Sequence, residues 1–147
     1  MPELPEVQTV VNYIKPLCVG KKLIRVKPVW SKVLHNFNGG FNSDFKNNEV
    51  RDVYRRAKFI VIAFEDYILA IHLRMTGKLY MKSNKFQSKH ITAVFEFEGQ
   101  DSLYFEDVRK FGRVYLYDDL KVIDSKHGPE PLDSKFSLMQ FRGMIRE

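Results

Sequence analysis

The first residues of the chain combine an amine and carboxylates in a way that could support covalent chemistry. If Met1 is removed, Pro2 becomes a free secondary amine. An α-amino group has a pKa of about 7.7–8, so part of it is an uncharged nucleophile at neutral pH. Such an amine can attack a sugar aldehyde carbon and form an electron-withdrawing iminium. Glu3 and Glu6 place two carboxylates beside it, where protons would have to move.

The same residues also suit an ordinary helix start. Proline in a first turn sacrifices no hydrogen bond, and its φ angle is already helical. Glutamate in that turn complements the helix dipole. Taken alone, the segment is a well-started helix more often than an active site.

Further candidates lie along the chain. Lys58 closes a run of three cations in four residues, Arg55–Lys58, which could bind phosphates or form a solvated strand edge. Met75 and Phe111 are each followed closely by a glycine, which places both near turns, although both residue types are common in cores. His90, taken by itself, would be an ordinary surface histidine.

Composition narrows the class of protein. The chain has 147 residues, enough for one domain, and 44% of them are hydrophobic. Its net charge of +6 favours a polyanionic partner. A single cysteine, Cys18, excludes a disulfide framework and a multi-cysteine zinc site, and we expect it to be buried. Because no apolar run approaches about 18 residues and no signal peptide is evident, we expect a cytoplasmic protein.

The elements that would position these residues are mostly strands. Apolar residues recur with helical spacing over 3–15, and Pro16 and Gly20 should end that helix. Many short β-rich runs with short turns follow, which predicts a mainly β fold, either a sandwich or a barrel. Pro28 predicts a break or an edge position after the first strand. A second helical pattern covers 134–145. The predicted strand regions are 23–26, 50–64, 67–73, 79–81, 92–98, 103–105 and 113–117.

Five short stretches together resemble the formamidopyrimidine-DNA glycosylase family, bacterial repair enzymes for oxidised purines. Each stretch alone is a weak signal, but all five follow the order and spacing of the family and span nearly the whole chain. They are Met1–Val7, Arg55–Lys58, His72–Gly77, Asp107–Gly112 and Gly128–Leu132. The resemblance implies a two-sheet antiparallel β-sandwich with flanking helices, the N-terminal one packed at its edge.

The resemblance also implies catalytic roles. Pro2 would attack the anomeric carbon and displace the damaged base, while Glu3 would act as the acid and base that protonates the opening sugar ring. Glu6 would support the active site. Lys58 would face that site and help with proton transfers to the sugar and phosphates.

A second implied group acts on the DNA after the base has left the stack. Met75, Arg109 and Phe111 match residues that fill the gap left by the flipped nucleotide and contact the orphaned base. His90 matches a position that binds the DNA backbone. Val108 stands where the family usually has proline, so we expect a less rigid loop there.

The resemblance divides the chain at residue 131. Residues 1–131 would form the N-terminal catalytic domain, and 132–147 would begin the first helix of a second domain with a helix–two-turn–helix element and a zinc finger. The zinc-ligating cysteines are not in this chain, so we expect no metal site and no cofactor in it. The expected partner is damaged double-stranded DNA, with no membrane contact, and the expected state is a monomer in the bacterial cytoplasm.

Three functions stay open. The first is a bifunctional glycosylase and abasic-site lyase that removes oxidised purines such as 8-oxoguanine and formamidopyrimidines. The second is an oxidised-pyrimidine glycosylase of the endonuclease VIII type, although Leu4 and the Arg55–Lys58 run favour the purine branch. The third is a non-catalytic fragment that binds DNA weakly. Retention of Met1 would produce that state, because an acylated proline nitrogen is no nucleophile.

Overall fold

A computed structural model of the chain describes residues 4–37 and 48–117, which contain one α-helix, one 3-10 helix and nine strands. The helices are α1 (Leu4–Cys18) and the 3-10 helix (Ser31–Val33). The strands are β1 (Leu23–Pro28), β2 (Leu34–His35), β3 (Asp52–Arg56), β4 (Phe59–Ala63), β5 (Ile68–His72), β6 (Lys78–Ser83), β7 (Ile91–Phe97), β8 (Asp101–Glu106) and β9 (Arg113–Tyr117).

The strands form two sheets. One has the order β1-β7-β8-β6, and the other has the order β2-β9-β5-β4-β3. Nearly every pair is antiparallel, and the inward side chains of the two sheets share one hydrophobic core. The prediction of a mainly β, two-sheet sandwich is confirmed. One pairing differs, because the two-residue β2 lies parallel to β9.

Helix α1 packs at the edge of the sandwich, as expected. It contacts β3 and β6, each of which is an outer strand of its own sheet. Its buried residues are Val7, Val11, Ile14 and Cys18, spaced so that they share one face. Burial raises the pKa of the Cys18 thiol to about 12, so this cysteine is a core residue as predicted.

The predicted end of α1 is wrong by one turn. The helix continues through Pro16 to Cys18, and Gly20, at φ 90°, lies just beyond its end. Proline removes one N–H donor from the helix, which leaves the carbonyl of Asn12 without its usual bond. Both Pro16 and Asn12 are exposed, so water can hydrate that carbonyl. The extra turn buries Cys18 completely.

Other boundaries shift in ways that matter for the site. The β-rich run over 50–64 is two strands, β3 and β4, joined by a two-residue turn at Ala57 and Lys58. Strand β1 ends at Pro28 and lies at a sheet edge, which confirms the edge position. The edge strand β6 extends to Ser83, two residues beyond the prediction.

Several predictions fall outside the described residues. They concern Pro2 and Glu3, the helical pattern over 134–145, and the domain boundary at residue 131. Among the described helices, none is long and apolar enough to cross a membrane.

Candidate functional site

The strand register of the five-stranded sheet brings several candidate residues to one end of the sandwich. Phe59, the first residue of β4, pairs with His72, the last residue of β5. His72 in turn pairs with Arg113, the first residue of β9. Phe59, His72 and Arg113 thus form a row across three neighbouring strands, and Lys58 directly precedes Phe59. The β3–β4 turn, the chain leaving β5 and the chain entering β9 therefore lie together.

In the four-stranded sheet, a second row of paired residues lies at one end of the strands. Glu106, the last residue of β8, pairs both with Lys78, the first of β6, and with Ile91, the first of β7. His90 directly precedes Ile91. The start of β6, the start of β7 and the end of β8 therefore share one end of this sheet.

Two loops join the rows of the two sheets. The Met75 loop (residues 73–77) connects β5 to β6, and the Arg109 loop (residues 107–112) connects β8 to β9. Since each loop leaves one row and enters the other, both rows belong to the same end of the sandwich. We call this the loop end. It contains Lys58, Met75, His90, Arg109 and Phe111, so the structure brings together five of the predicted site residues.

A tight turn holds Lys58. Ala57 has a φ of 55°, and a positive φ at the first turn position is typical of two-residue hairpins, whose turns match the strand twist. The Arg55 guanidinium donates a hydrogen bond of 2.8 Å to the Ala57 carbonyl. Lys58 is half-buried at the second turn position. Its backbone is thus anchored by the hairpin on both sides.

The Met75 loop presents an apolar tip on a fixed base. Leu73 is buried, whereas the Met75 side chain is 47% exposed. Arg74 adopts a φ of 57°, and its N–H donates to Nδ1 of His72 at 3.1 Å. The Gly77 N–H closes the loop by donating to the Leu73 carbonyl at 3.0 Å. The loop therefore presents the Met75 side chain to solvent on a fixed backbone.

The Arg109 loop has the same character. Lys110, at φ 58°, donates its N–H to the Asp107 carbonyl at 3.2 Å and completes a turn. The Phe111 ring is 42% exposed, and the Arg109 guanidinium carbon lies 5.3 Å from its centroid. That distance suits a cation–π contact. An exposed cation and an exposed ring are therefore presented side by side.

The two loops rest on one aromatic ring. A Cβ added to Gly77 would lie 2.8 Å from the Phe105 ring, and one added to Gly112 would lie 2.4 Å from it. Real Cβ atoms do not approach other atoms so closely, so only glycine fits at either position. Phe105 itself is completely buried. The glycines of both sequence motifs are explained by this close packing.

The remaining predicted residues are less central among the described contacts. His90 is half-buried, and its carbonyl accepts the Asp107 N–H at 2.9 Å, which ties it to the Arg109 loop. Glu6 is exposed in the first turn of α1. Pro2 and Glu3 are not among the described residues.

The loop end is rich in positive charge. Partial burial, followed by the positive charges of Arg113 and Arg74, lowers the pKa of His35, whose ring lies against Tyr115. A neighbouring cation disfavours protonation of an imidazole, so the two arginines add to the effect of burial. The cationic residues in the segments that form this end are Arg55, Arg56, Lys58, Arg74, Lys78, Lys89, Arg109, Lys110 and Arg113.

Some contributing residues were missed from the sequence. Trp30 packs beneath two of the cations, with Lys110 Nζ 5.8 Å and the Arg113 guanidinium carbon 5.1 Å from its ring centroids. Asp107 and Thr76 share a hydrogen bond between the two loops. An aspartate that opens a turn is a recognisable signal, but nothing in the sequence indicated Phe105 or Trp30.

The chemistry of the described residues suits a polyanion better than a metal. No group of three or more metal-ligating side chains occurs within residues 4–37 and 48–117. Phosphate groups pair with cations, and exposed apolar side chains near them can enter a base stack.

Comparisons with known proteins agree with this arrangement. The family model of the formamidopyrimidine-DNA glycosylase N-terminal domain matches residues 1–114. The formamidopyrimidine-DNA glycosylase of Protochlamydia amoebophila is 38% identical over 150 residues, covering 99% of this chain and 54% of that protein. That of Streptococcus pneumoniae serotype 4 is 34% identical, with coverage of 99% and 55%. The chain therefore spans about half the length of these relatives.

Solved structures give the same result. Lactococcus lactis formamidopyrimidine-DNA glycosylase, non-covalently bound to DNA containing an AP site, matches with a TM-score of 0.77 and 27% identity over 85% of this chain and 49% of that one. MutM in complex with DNA containing carbocyclic 8-oxo-G matches with a TM-score of 0.76 and 28% identity, covering 84% and 48%. The chain belongs to the formamidopyrimidine-DNA glycosylase family, and its described residues have the fold of the N-terminal domain.

Proposed function

We propose that the chain is the catalytic domain of a DNA glycosylase and abasic-site lyase that removes oxidised purines from duplex DNA. The observation that carries this proposal is the loop end, where Lys58, Met75, His90, Arg109 and Phe111 converge from four segments of two sheets. A cationic rim with apolar tips fits a duplex whose target nucleotide has left the stack.

The direction of α1 supports a role for the chain start. Near the C-terminal end of the helix, Lys15 Nζ lies 3.3 Å from Asp52, which begins β3 at the end of the sheet opposite Arg56. Because a 15-residue helix spans about 22 Å, α1 extends from that point along the edge of the sandwich. We infer that it extends towards the loop end, which would bring Pro2 and Glu3 near Lys58.

The proposed reaction begins with the free amine of Pro2. With Met1 removed, the Pro2 nitrogen attacks the anomeric carbon of the sugar, and the damaged base departs with the electrons of the broken glycosidic bond. Glu3 supplies a proton to the ring oxygen as the sugar opens, and the nitrogen becomes part of an iminium. Loss of a proton from the adjacent sugar carbon then lets the 3′ phosphate leave, which breaks the strand.

The other residues prepare the substrate. Lys58 would move protons at the sugar and phosphate, and Glu6 would support the active site. Met75, Arg109 and Phe111 would fill the space left by the flipped nucleotide, while His90 would bind the backbone. We also propose that residues 1–131 form this domain, that 132–147 begin a second one, and that the chain acts as a monomer without a cofactor.

A second substrate class has a specific observation in its favour. One structural neighbour, the wild-type Lactococcus lactis enzyme, is a complex with DNA containing an oxidised pyrimidine, at a TM-score of 0.76 and 28% identity. Excision measured on matched duplexes with one oxidised purine or one oxidised pyrimidine separates the two. Faster release of the pyrimidine would overturn the purine assignment.

Borohydride trapping tests the proposed chemistry. The chain is mixed with a duplex containing one abasic site, reduced, digested and mapped by mass spectrometry. We expect the adduct on the Pro2 nitrogen, still formed by Lys58→Ala and lost when Met1 is retained. An adduct on a lysine, or no adduct from a chain shown to lack Met1, would contradict the proposal. An intact duplex is the matched control.

A further inference from the structure

We propose that Asp107 and Thr76 are positioning residues that lock the Met75 loop to the Arg109 loop, so that Met75, Arg109 and Phe111 enter DNA as one wedge. This inference rests on the proposed function, because it concerns the same wedge. It adds two polar residues that act through their neighbours.

The carboxyl group of Asp107 is a buried hub. Asp107 is only 1% exposed, and a buried polar group needs partners for its hydrogen-bonding atoms. Oδ1 accepts the Thr76 hydroxyl and also the Arg109 N–H, the latter at 3.1 Å. Oδ2 accepts the Gly112 N–H at 2.7 Å. All three donors lie in the two loops.

The positions of the three donors connect Asp107 to the predicted DNA-contacting residues. Thr76 follows Met75, and Gly112 follows Phe111, while Arg109 is itself a wedge residue. The Asp107 N–H also donates to the His90 carbonyl at 2.9 Å. Asp107 therefore contacts each of the four predicted DNA-contacting residues or its immediate chain neighbour.

The Thr76 contact is the one that crosses between loops. The bonds to Arg109 and Gly112 shape the Arg109 loop from within, whereas the bond to Thr76 joins it to a different connection between the sheets. Phe105 packs against both loops, but ring packing is weakly directional. A hydrogen bond fixes distance and angle, so it sets the relative position of the two tips.

A wedge needs that relative position to be fixed. Opening a base step costs a few kcal/mol, which the inserted side chains must recover by filling the gap. If Met75 moves relative to Phe111, the step is opened without being filled. Locking both loops before binding also avoids an ordering cost during binding.

Matched variants of Thr76 test the lock. Thr76→Val keeps the shape and removes the hydroxyl, and Thr76→Ser keeps the hydroxyl. Binding is measured to an abasic-site duplex and to the intact duplex over a range of salt, with 2-aminopurine placed opposite the abasic site to report stacking. Far-ultraviolet circular dichroism verifies folding.

We expect Thr76→Val to bind the abasic-site duplex roughly tenfold more weakly and to give a smaller 2-aminopurine response at saturation. Thr76→Ser should restore both. Affinity for intact duplex and its salt dependence should not change, because phosphate contacts are untouched. A merely structural role would not separate these readouts.

Each of the other outcomes contradicts either the inference alone or the proposed function as well. A folded Thr76→Val that matches wild type in affinity and fluorescence overturns the inference alone. Wild-type chain that does not prefer abasic-site duplex overturns the proposed function, and the inference with it. If Thr76→Val does not fold, Asp107→Asn is measured instead; should that variant also fail to fold, the residues determine the fold and the positioning role is wrong.

Discussion

The two ends of the sandwich use glycine in opposite ways. At the end opposite the loop end, which we call the turn end, Gly99 joins β7 to β8 at a φ of 97°, and Gly20 follows α1 at a φ of 90°. No other atom lies within 4 Å of a Cβ built on either residue. Glycine is used there for its backbone freedom, and space is plentiful.

At the loop end, glycine is used for space. Gly77 and Gly112 have no positive φ but lie against Phe105 with no room for a side chain. The left-handed positions are instead held by Ala57, Arg74 and Lys110. A left-handed conformation costs such residues about 1 kcal/mol or more.

The contrast points to function. Two long cations occupy backbone positions where glycine would be more stable, and residues held in unfavourable conformations cluster at functional sites. The described part of the turn end includes the exposed Arg51–Glu65 ion pair at 3.1 Å. The positive φ angles at the loop end therefore agree with the proposal that this end binds DNA.

The largest expected effect comes from adding one methyl group at each end. Gly112→Ala should destabilise the fold by about 3 kcal/mol, because the new Cβ collides with Phe105. Gly99→Ala should cost only about 1 kcal/mol, from its positive φ in open space. Urea unfolding measures both, and equal costs would break the contrast.

The next effect separates binding from stability. Phe111→Ala should leave the free energy of unfolding within about 0.5 kcal/mol of wild type, because the ring is exposed. Its affinity for abasic-site duplex should fall about tenfold, since a stacking side chain is lost. Ile24→Ala, which removes an exposed apolar side chain from β1, is the control and should alter neither. A similar loss of binding in Ile24→Ala would place DNA elsewhere.

Replacing Arg74, a cationic residue with a positive φ, tests the contrast between the two ends of the sandwich. Arg74→Gly should raise stability by about 0.5 kcal/mol or leave it unchanged, because the positive φ no longer costs energy. The slope of log affinity against log salt should fall by about one, as expected for one lost phosphate contact. Arg51→Gln at the turn end should leave the slope unchanged. Chemical denaturation measures the stability of Arg74→Gly, and salt titrations of DNA affinity measure the two slopes. A slope that falls for Arg51→Gln but not for Arg74→Gly would contradict the contrast.

The smallest effect is a pKa change. Partial burial and the charges of Arg113 and Arg74 lower the pKa of His35 in the folded state. The contribution of His35 to stability is therefore present above the unfolded pKa of about 6.5 and is lost as pH falls through the folded pKa. His35→Gln should reduce acid sensitivity below about pH 6. Phosphates at the loop end should raise the His35 pKa towards its usual value, which an NMR titration of the imidazole would reveal. An unchanged His35 pKa would place the DNA elsewhere.

Much of the fold could be predicted from the sequence. Period-two and helical patterns located α1 and most strands, because burial on one face leaves a local signature. The turn at Ala57 and Lys58 escaped prediction, since it lacks the usual turn glycine. The parallel β2 also escaped, because a two-residue pairing with β9 is set by tertiary contact.

The site was partly predictable for the same reason. Motif order identified Lys58, Met75, His90, Arg109 and Phe111, and the strand register shows that they share one end. Phe105 and Trp30 could not be found, because close packing and cation–π contacts depend on positions distant in sequence. The roles of these five residues, like those of Pro2, Glu3 and Glu6, stay predictions.

The most direct test of the account is a map of the DNA contact surface. Backbone amide shifts of the ¹⁵N-labelled chain are followed by NMR as an abasic-site duplex is added. We expect the largest changes at Lys58, in the Met75 and Arg109 loops and at His90, with little change at Glu65 and Gly99. Changes centred on the turn end, or spread evenly over both ends, would contradict the assignment of the loop end as the DNA-binding site.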